Sequence, residues 1–442
     1  MSAMLAESRP AETTAVVETR RGERKRVVII GGGFAGIAAA HALRHADADV
    51  LLIDRRNHHI FQPLLYQVAA AVLSPAEIAA PIRQLEAKQQ NVTVLLAEVT
   101  GVDVASRTIE VASPGGARKI AFDYLVVATG MRPNYFGHDE FARYAPGLKS
   151  LGDAETIRAK ILGAFELAAM TEDEGERARQ MTFVLVGAGA TGVELAGSLA
   201  GLVKVTLRGN FRRIDPSKST IILLDAGNRV LPTFAEALSR RVTRHLTKLG
   251  VKVLTGVKVE TVDEQGVVAG GKRIPSATVL WTAGVAASPV PKMLGSKTDR
   301  AGRALVDPFL TVVDAPGVFV VGDAASVMQN GHPVPGVAQA AIQQGRYVGR
   351  LIAKELKGRK VERPFSYFDK GNMAVVGMNY AVLERGWLRT SGFLTWLVWA
   401  FVHILSLPQL QNRLRVQHQW LWSYFTGQRS SRLIPETHEP GH

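Results

Sequence analysis

The chain has 442 residues, a net charge of +14, 47% hydrophobic residues and no cysteine. This length predicts two or three domains with well-filled apolar cores. The lack of cysteine excludes disulfides, thiolate metal sites, iron–sulfur clusters and electron relay through a thiol pair. The positive charge indicates an anionic partner. The sequence does not alternate basic and aromatic residues as a nucleic-acid-binding face does, so nucleic acid is not favoured as that partner.

The N-terminal segment, residues 1–24, mixes Ala, Glu, Thr and Arg and lacks the apolar stretch of a secretory signal. We interpret this segment as a disordered tail. The folded body is therefore expected to begin near residue 25 and to stay in the cytoplasm.

The first apolar run is followed by a glycine-rich loop. Residues 27–30 (VVII) precede residues 31–36 (GGGFAG), and a helix is predicted over residues 37–45. Such glycines let backbone N–H groups approach a pyrophosphate, and the following helix directs its positive end at that anion. Asp54 ends the next strand, where a carboxylate accepts ribose hydroxyls and repels a 2′-phosphate. The pattern predicts a dinucleotide site.

Residues 124–130 (YLVVATG) read as a buried parallel strand that ends in a turn of small residues. Small side chains there permit close approach of a cofactor or of backbone. A charged stretch, residues 171–180, separates this half of the chain from the next motif.

The loop pattern then occurs a second time. Residues 183–186 (FVLV) precede residues 187–192 (GAGATG), with a helix predicted from near Val193. The next strand ends at Asp225, after an apparent insertion rich in Arg and Lys at residues 203–219. The carboxylate favours NADH over NADPH because it would repel a 2′-phosphate. Arg229 nearby keeps NADPH open as an alternative.

Residues 278–284 (TVLWTAG) repeat the strand and small-residue turn, and residues 317–325 (GVFVVGDAA) form another strand that ends at an acidic residue. The repetition predicts an α/β fold with two Rossmann-like dinucleotide-binding domains, the second inserted in the first. We assign residues 25–150 and 287–385 to one domain and residues 151–286 to the other. A C-terminal region, residues 386–442, follows.

The C-terminal region is apolar and rich in tryptophan. Residues 393–407 read FLTWLVWAFVHILSL, and no Lys, Arg, Asp or Glu occurs between Arg389 and Arg413. Indole and guanidinium groups favour the headgroup boundary of a membrane. Both types are concentrated here, at Trp387, Trp396, Trp399, Trp420, Trp422, Arg413, Arg415, Arg429 and Arg432.

Three interpretations of this region compete. One is a single transmembrane helix, which Pro408 argues against. The second, which we favour, is a pair of helices lying in the membrane plane. Its apolar positions are Trp396, Ala400, Phe401 and Ile404 on one stripe and residues 420–425 on the second helix. The third is a buried dimer interface, which is compatible with the second. A platform on anionic lipid also explains the basic charge.

Five segments together resemble the type II NADH:quinone oxidoreductases, flavoproteins with two dinucleotide-binding domains. The similarity runs from about residue 27 to residue 386. Its segments are residues 31–36 with Asp54, residues 57–69 (NHHIFQPLLYQVA), residues 187–197 (GAGATGVELAG), residues 321–345 (with GDAA and AQAAIQQG) and residues 365–374 (with SYFDKG).

The resemblance implies FAD in the first domain and NADH in the second. Asp323 would hold a ribityl hydroxyl, and a helix opening at Ala341 and Ile342 would face the pyrimidine end of the flavin. The implied FAD residues are Gly31, Gly32, Gly33, Phe34, Ala35, Gly36, Asp54, Arg55, Val99, Ala128, Thr129, Gly130, Gly322, Asp323, Ala341 and Ile342. The implied NADH residues are Gly187, Gly189, Ala190, Thr191, Gly192, Asp225, Ala283 and Gly284.

Four residues are implied to be catalytic. Glu194, predicted on the first helical turn within an apolar stretch, would lie between nicotinamide and flavin and help proton traffic. Gln339 and Gln343 share one helix face, and their amides suit quinone carbonyls. Lys370 would stabilise anionic reduced species or pass a proton. Each has a structural alternative. Glu194 could only stabilise its helix, the two glutamines could be solvated, and Lys370 could be a surface charge.

These expectations combine into a peripheral enzyme on the cytoplasmic face of the inner membrane. It would oxidise NADH through FAD, reduce ubiquinone or menaquinone, pump no ions, need no metal and form a homodimer. A sulfide:quinone reductase would need the missing cysteine. Two functions stay open beside this one: a soluble flavin reductase that feeds an iron–sulfur protein, and a sensor that binds NADH without turnover.

Overall fold

The computed structural model describes residues 16–18 and 24–434. The chain divides into two compact units. Unit 1 holds the described residues up to 59 together with 81–130 and 287–367, and unit 2 holds residues 60–80, 131–286 and those from 368 onward. The helices are α1 (Phe34–Ala42), α2 (Leu65–Ala69), α3 (Pro75–Ile78), α4 (Ile82–Leu85), α5 (Leu151–Met170), α6 (Glu174–Gln180), α7 (Ala190–Gly201), α8 (Glu236–Lys248), α9 (Val290–Met293), α10 (Ala338–Glu355), α11 (Phe393–Ser406) and α12 (Leu410–Thr426).

Unit 1 is built on a five-stranded parallel sheet. Its central strand is an apolar run, in which Val27, Val28 and Ile29 are fully buried. The spatial order is Val318–Val320, Tyr124–Val127, Lys25–Ile30, Ala48–Asp54 and Val92–Leu96. The first glycine loop therefore leaves the central strand of this sheet.

A second sheet of unit 1 is mixed. It contains Val16–Glu18, Gly116–Ala121, Thr108–Ser113 and Glu98–Asp103, in that order. Val16–Glu18 pairs in parallel with Gly116–Ala121. This strand lies inside the segment predicted to be disordered; the other residues of that prediction, apart from residue 24, fall outside the described part of the chain.

Helices α1 and α10 pack closely in unit 1 because glycines face the α1 backbone. A Cβ placed on Gly345 would lie 2.0 Å from Ala35 O, and one on Gly349 would lie 2.6 Å from Ala39 O. Distances this short are impossible for a real side chain, so any larger residue must push the helices apart.

We expect Gly345→Ala to lower the free energy of unfolding by about 2–3 kcal/mol, because the added methyl group displaces backbone. Gly163→Ala in α5 is the matched control, since a Cβ there meets nothing within 4 Å. It is expected to stabilise by about 1 kcal/mol through helix propensity. Urea unfolding of both variants checks the opposite signs; destabilisation of similar size in both would contradict the packing argument.

Unit 2 is built on a four-stranded parallel sheet. Its order is Val251–Thr255, Thr220–Asp225, Thr182–Val186 and Thr278–Trp281. Two three-stranded antiparallel sheets accompany it: Val259–Asp263, Gly266–Ala269 and Lys272–Pro275, and Asn372–Val375, Ala381–Arg385 and Leu388–Gly392. Short strands elsewhere in the chain are His58–Ile60, Ala79–Pro81, Met131–Pro133, Val285–Ala287, Ala304–Leu305, Ala325–Ser326, Met328–Gln329 and His332–Pro333.

The borders of the two units differ from the predicted domains. Residues 60–80 and 131–150 group with unit 2, as do the residues from 368 onward. Helix α2 explains the first of these differences, because it packs on α5 and α7 of the second unit. The sequence prediction placed residues 60–80, 131–150 and 368–385 in the first domain and residues 386–442 in a separate C-terminal region.

The C-terminal region forms two helices, α11 and α12, as the helix-pair interpretation predicts. Within residues 16–18 and 24–434, no helix has both the length and the apolar character needed to cross a bilayer. The exposed stripe of α11 differs from the predicted one, since Trp396, Ala400 and Ile404 are half-buried. The exposed apolar residues of α11 are Phe393, Leu394, Leu397, Val398, Phe401, Val402 and Leu405.

Candidate functional site

The first glycine loop is tightly built at one end and open at the other. Gly31 has φ +107°, and a Cβ on it would lie 2.4 Å from the backbone oxygen of Ala128, so only glycine fits at this position. A Cβ on Gly33 would meet nothing within 4 Å. Helix α1 begins directly after Gly33, three residues before the predicted start. Its N-terminal N–H groups therefore border the open side of the loop.

Asp54 fixes this loop. Its Oδ2 accepts a hydrogen bond from Gly32 N–H (2.7 Å), and its Oδ1 accepts one from Arg56 N–H (2.8 Å). The carboxylate thus holds the loop from the end of its strand. The neighbouring Arg55 is exposed and lies 3.7 Å from the Glu98 carboxylate.

His59 also supports the loop, although no sequence pattern had singled it out. Its Nδ1 lies 3.0 Å from Gly32 O, and its ring meets Phe34 edge-on with centroids 5.0 Å apart. Burial lowers the pKa of His59, which favours the neutral ring with Nδ1–H donating to the carbonyl. Its position in the NHHIFQPLL segment was the only available signal.

The GDAA segment is held by a glutamine that was not among the predicted site residues. Gly322 has φ +69°, and its N–H donates to the buried Oε1 of Gln344 (2.6 Å). Helix α10 begins at Ala338, so Ala341 and Ile342 lie further inside it than predicted. Asp323 is half-buried on the adjoining short turn.

The remaining predicted residues of unit 1 have varied settings. Val99 is buried beside a register shift in its strand pair. Thr129 Oγ1 lies 2.6 Å from the Ser288 hydroxyl. Gln339 and Gln343 are half-buried on α10, one turn apart, so the predicted common helix face is present.

The second glycine loop repeats the arrangement of the first. Gly187 has φ +106°, and a Cβ on it would lie 2.5 Å from Ala283 N. A Cβ on Gly189 would meet nothing within 4 Å, and α7 begins directly afterwards at Ala190. Asp225 accepts hydrogen bonds from Ala188 N–H (2.5 Å) and Gly227 N–H (2.6 Å). Both loops are thus locked by the aspartate that ends the adjacent strand.

Arg229 does not present a free guanidinium to this loop. Its Nη1 donates to Phe234 O (2.9 Å), and its Nη2 donates to Pro232 O (2.7 Å). These carbonyls occupy donors that a 2′-phosphate would need. The contacts therefore weaken the sequence-based argument for NADPH.

Glu194 lies one turn inside α7, because the helix begins at Ala190 and has no acidic residue in its first turn. Its side chain is half-buried between the buried Val193 and Leu195. Val375 N–H is 3.4 Å from Oε1. Desolvation by the surrounding protein raises the pKa of the carboxyl to about 8. Burial therefore dominates over the helix dipole that the sequence suggested.

A buried polar cluster that no sequence pattern indicated adjoins Glu194 within unit 2. The carboxyl raises the pKa of Tyr66 electrostatically, in addition to the larger effect of burial. Gln67 Nε2 donates to the Tyr66 hydroxyl (2.9 Å), and Trp420 Nε1 on α12 donates to Gln67 Oε1 (2.7 Å). Arg429 completes the cluster by donating to Ala70 O (2.7 Å) and Ser198 O (3.0 Å).

Arg429 was expected at a membrane boundary and is instead 6% exposed. Burial lowers the pKa of its guanidinium to about 10. Gly201 makes room for this side chain, since a Cβ there would lie 2.9 Å from Nη2.

Lys370, the remaining predicted catalytic residue, is exposed in unit 2.

Comparisons with known proteins agree with this geometry. Residues 25–345 match the family model described as pyridine nucleotide-disulphide oxidoreductase. Two Mycobacterium tuberculosis proteins, the type II NADH:quinone oxidoreductases NdhA and Ndh, are each 44% identical over 93% of this chain and cover 90% and 91% of their own lengths. The chain belongs to the type II NADH:quinone oxidoreductase family.

The fold agrees with that membership. The structure of NDH2 from Plasmodium falciparum in complex with NADH superimposes with a TM-score of 0.85 at 21% identity, covering 94% of this chain and all of that one. The chain itself has no cysteine, so the disulphide in the name pyridine nucleotide-disulphide oxidoreductase has no counterpart in it.

Proposed function

We propose that the chain oxidises NADH and reduces a membrane quinone, ubiquinone or menaquinone, with FAD as its cofactor. The two aspartate-locked glycine loops carry this conclusion, because each has the geometry of a dinucleotide site. Family membership narrows the reaction from dinucleotide redox chemistry to quinone reduction.

The first loop fits the FAD pyrophosphate. The space beside Gly33 and the N-terminus of α1 together offer room and N–H donors to an anion. When bound, FAD would accept a hydride from NADH and would then pass two electrons to the quinone. The Asp54 carboxylate, half-buried at the end of its strand, is proposed to hold the adenosine ribose.

The second loop fits the NADH pyrophosphate by the same criteria, with the open side at Gly189 and α7. Asp225 is proposed to accept the ribose hydroxyls and to repel a 2′-phosphate. NADH is therefore the proposed donor.

Glu194 is proposed to handle a proton. Quinone reduction consumes two protons and two electrons, while each hydride brings one proton, so one more must come from solution. A carboxyl whose pKa is about 8 exchanges protons readily near neutral pH. Gln339 and Gln343 are proposed to donate hydrogen bonds to the quinone carbonyls. Lys370 is proposed, separately, to stabilise anionic reduced species or to pass a proton.

The C-terminal region, with helices α11 and α12, is proposed to lie on the cytoplasmic surface of the membrane. Formation of a homodimer is a further proposal. The exposed fractions of Leu394 (76%) and Phe425 (79%) support the first of these. Leu394 belongs to a run of exposed apolar residues along α11, and large contiguous apolar patches are rare on monomeric soluble proteins.

The test is NADH oxidation by the purified, FAD-loaded protein with a short-chain quinone as acceptor. Quinone-dependent turnover is expected. A protein that holds FAD but reduces no quinone would overturn the proposal.

Asp225→Ser tests the nucleotide preference. Removing the carboxylate abolishes repulsion of the 2′-phosphate and two hydrogen bonds of the loop. We expect the ratio of kcat/KM for NADH to that for NADPH to fall about tenfold, with KM for NADH increased. Asp54→Ser is the matched control in the other loop and is expected to leave this ratio unchanged. An unchanged ratio in the Asp225 variant would refute the assignment.

A further inference from the structure

The connection between the glycine-loop helix and the next strand is much longer in unit 2 than in unit 1. In unit 1, only residues 43–47 join α1 to the following strand. In unit 2, residues 202–219 connect α7 to Thr220–Asp225, and we name this segment the arginine loop. It contains five basic residues (Lys204, Arg208, Arg212, Arg213 and Lys218) and a single acidic one, Asp215.

The charges of the arginine loop point outward. Arg208, Arg212 and Arg213 are exposed. Asp215 is already engaged by Ser217, whose N–H and hydroxyl both donate to Oδ1. Among residues 16–18 and 24–434, no acidic side chain forms an ion pair with Arg212 or Arg213.

The arginine loop is fastened to the end of α12. Thr206 Oγ1 donates to Gly427 O (3.0 Å), and Arg432 Nη1 donates to Asn210 Oδ1 (2.8 Å). Large apolar side chains at this junction are exposed: Val205 on the loop, Trp422 and Phe425 on α12, and Leu433 and Ile434 beyond it. Exposed cations and exposed apolar groups are thus joined in one part of unit 2.

We propose that the arginine loop binds the headgroups of anionic phospholipids while the apolar residues beside it enter the bilayer. The proposal rests on the membrane attachment in the proposed function and adds a lipid preference to it. A cationic rim around exposed aromatic and aliphatic side chains matches an anionic membrane surface in charge and in polarity. Nucleic acid fits less well, because Phe211, the aromatic residue of the loop, is half-buried against Phe165.

The test compares the FAD-loaded full chain with the triple variant R208Q/R212Q/R213Q. The matched control R44Q/R300Q/R359Q removes three exposed arginines from unit 1. Binding is measured by co-sedimentation with vesicles of phosphatidylcholine alone and of phosphatidylcholine with phosphatidylglycerol. NADH oxidation with a short-chain quinone in detergent is measured in parallel on all three proteins.

The parent and the control are expected to prefer the anionic vesicles. The loop variant should bind them about hundredfold more weakly, from about fivefold per arginine at an anionic surface. Detergent activity should be equal in all three, because the loop contributes no residue to either dinucleotide loop.

Equal binding of the loop variant and the control to anionic vesicles would overturn the proposal, as would a parent that ignores lipid charge. A loop variant that loses binding to duplex DNA but keeps vesicle binding would also overturn it, in favour of nucleic acid. A parent protein that reduces no quinone would instead refute the proposed function. The vesicle-binding comparison would still test the lipid proposal by itself.

Discussion

Glu194→Gln is expected to be more stable than the parent protein at pH 8 and equally stable near pH 4.5. The pKa of Glu194 rises from 4.5 to about 8 on folding. Between these pH values the folded state keeps a proton that the unfolded state has released, so the free energy of unfolding falls as pH rises. The glutamine variant lacks this loss. Its advantage should reach about 3 kcal/mol near pH 8, allowing for solvent at the half-buried side chain.

Urea unfolding of both proteins at several pH values measures this difference. Glu166→Gln, which removes an exposed carboxylate from α5, is the control and should show no comparable trend. The same Glu194 variant should lose about hundredfold in quinone-dependent turnover if the carboxyl transfers a proton. A pH-independent stability difference together with normal turnover would remove Glu194 from the mechanism.

Gly33→Ala is expected to fold normally and to bind FAD about hundredfold more weakly. The Cβ meets no protein atom, and the backbone of Gly33 has an ordinary negative φ, so the apoprotein should keep its melting temperature. The methyl group instead occupies the space proposed for the pyrophosphate, at a cost of about 2–3 kcal/mol. Titration of apoprotein with FAD measures the Kd.

Two companion variants separate this effect from misfolding. Gly36→Ala would place a Cβ 1.8 Å from Gly31 O, so it should destabilise the apoprotein itself. Gly189→Ala should keep FAD and raise KM for NADH about hundredfold, because it fills the matching space in unit 2. Parent-like affinity for FAD in Gly33→Ala would contradict the assignment of the first loop.

Features encoded by local patterns could be predicted from the sequence. Buried parallel strands are uninterrupted apolar runs, and a glycine turn after such a run has few structural explanations. The loops at Gly31 and Gly187 and the strand ends at Asp54 and Asp225 therefore lie where they were predicted. Gly31 and Gly187 have a steric reason that the sequence only suggested, because the backbone at Ala128 and at Ala283 leaves no room for a Cβ.

Contacts between distant segments could not be predicted in this way. His59 reaches Gly32, Gln344 reaches Gly322, and Arg429 reaches Ser198, and no spacing rule connects these residues. Residues 60–80 group with unit 2 because they also contact segments that are distant in the sequence. One element that anchors them is the buried Asn412, whose Nδ2 donates to the carbonyls of Ala76 (3.0 Å) and Glu77 (2.8 Å).

Helix starts could not be predicted accurately either. Helix α7 begins earlier than predicted, which moves Glu194 out of the first turn, where the dipole would favour its charge, into surroundings that favour its neutral form. In α11 the composition indicated exposed apolar residues, but packing of Trp399 against Trp420 decides which stripe is covered. Such rotations about a helix axis depend on neighbours that the local sequence does not contain.

The most direct measurement of the central claim is an anaerobic titration of the FAD-loaded protein, followed by flavin absorbance. One equivalent of NADH should bleach the flavin, and one equivalent of a short-chain quinone should restore the oxidised spectrum. A flavin that stays oxidised after NADH is added would contradict the account. So would a reduced flavin that transfers its electrons to an iron–sulfur protein but not to quinone.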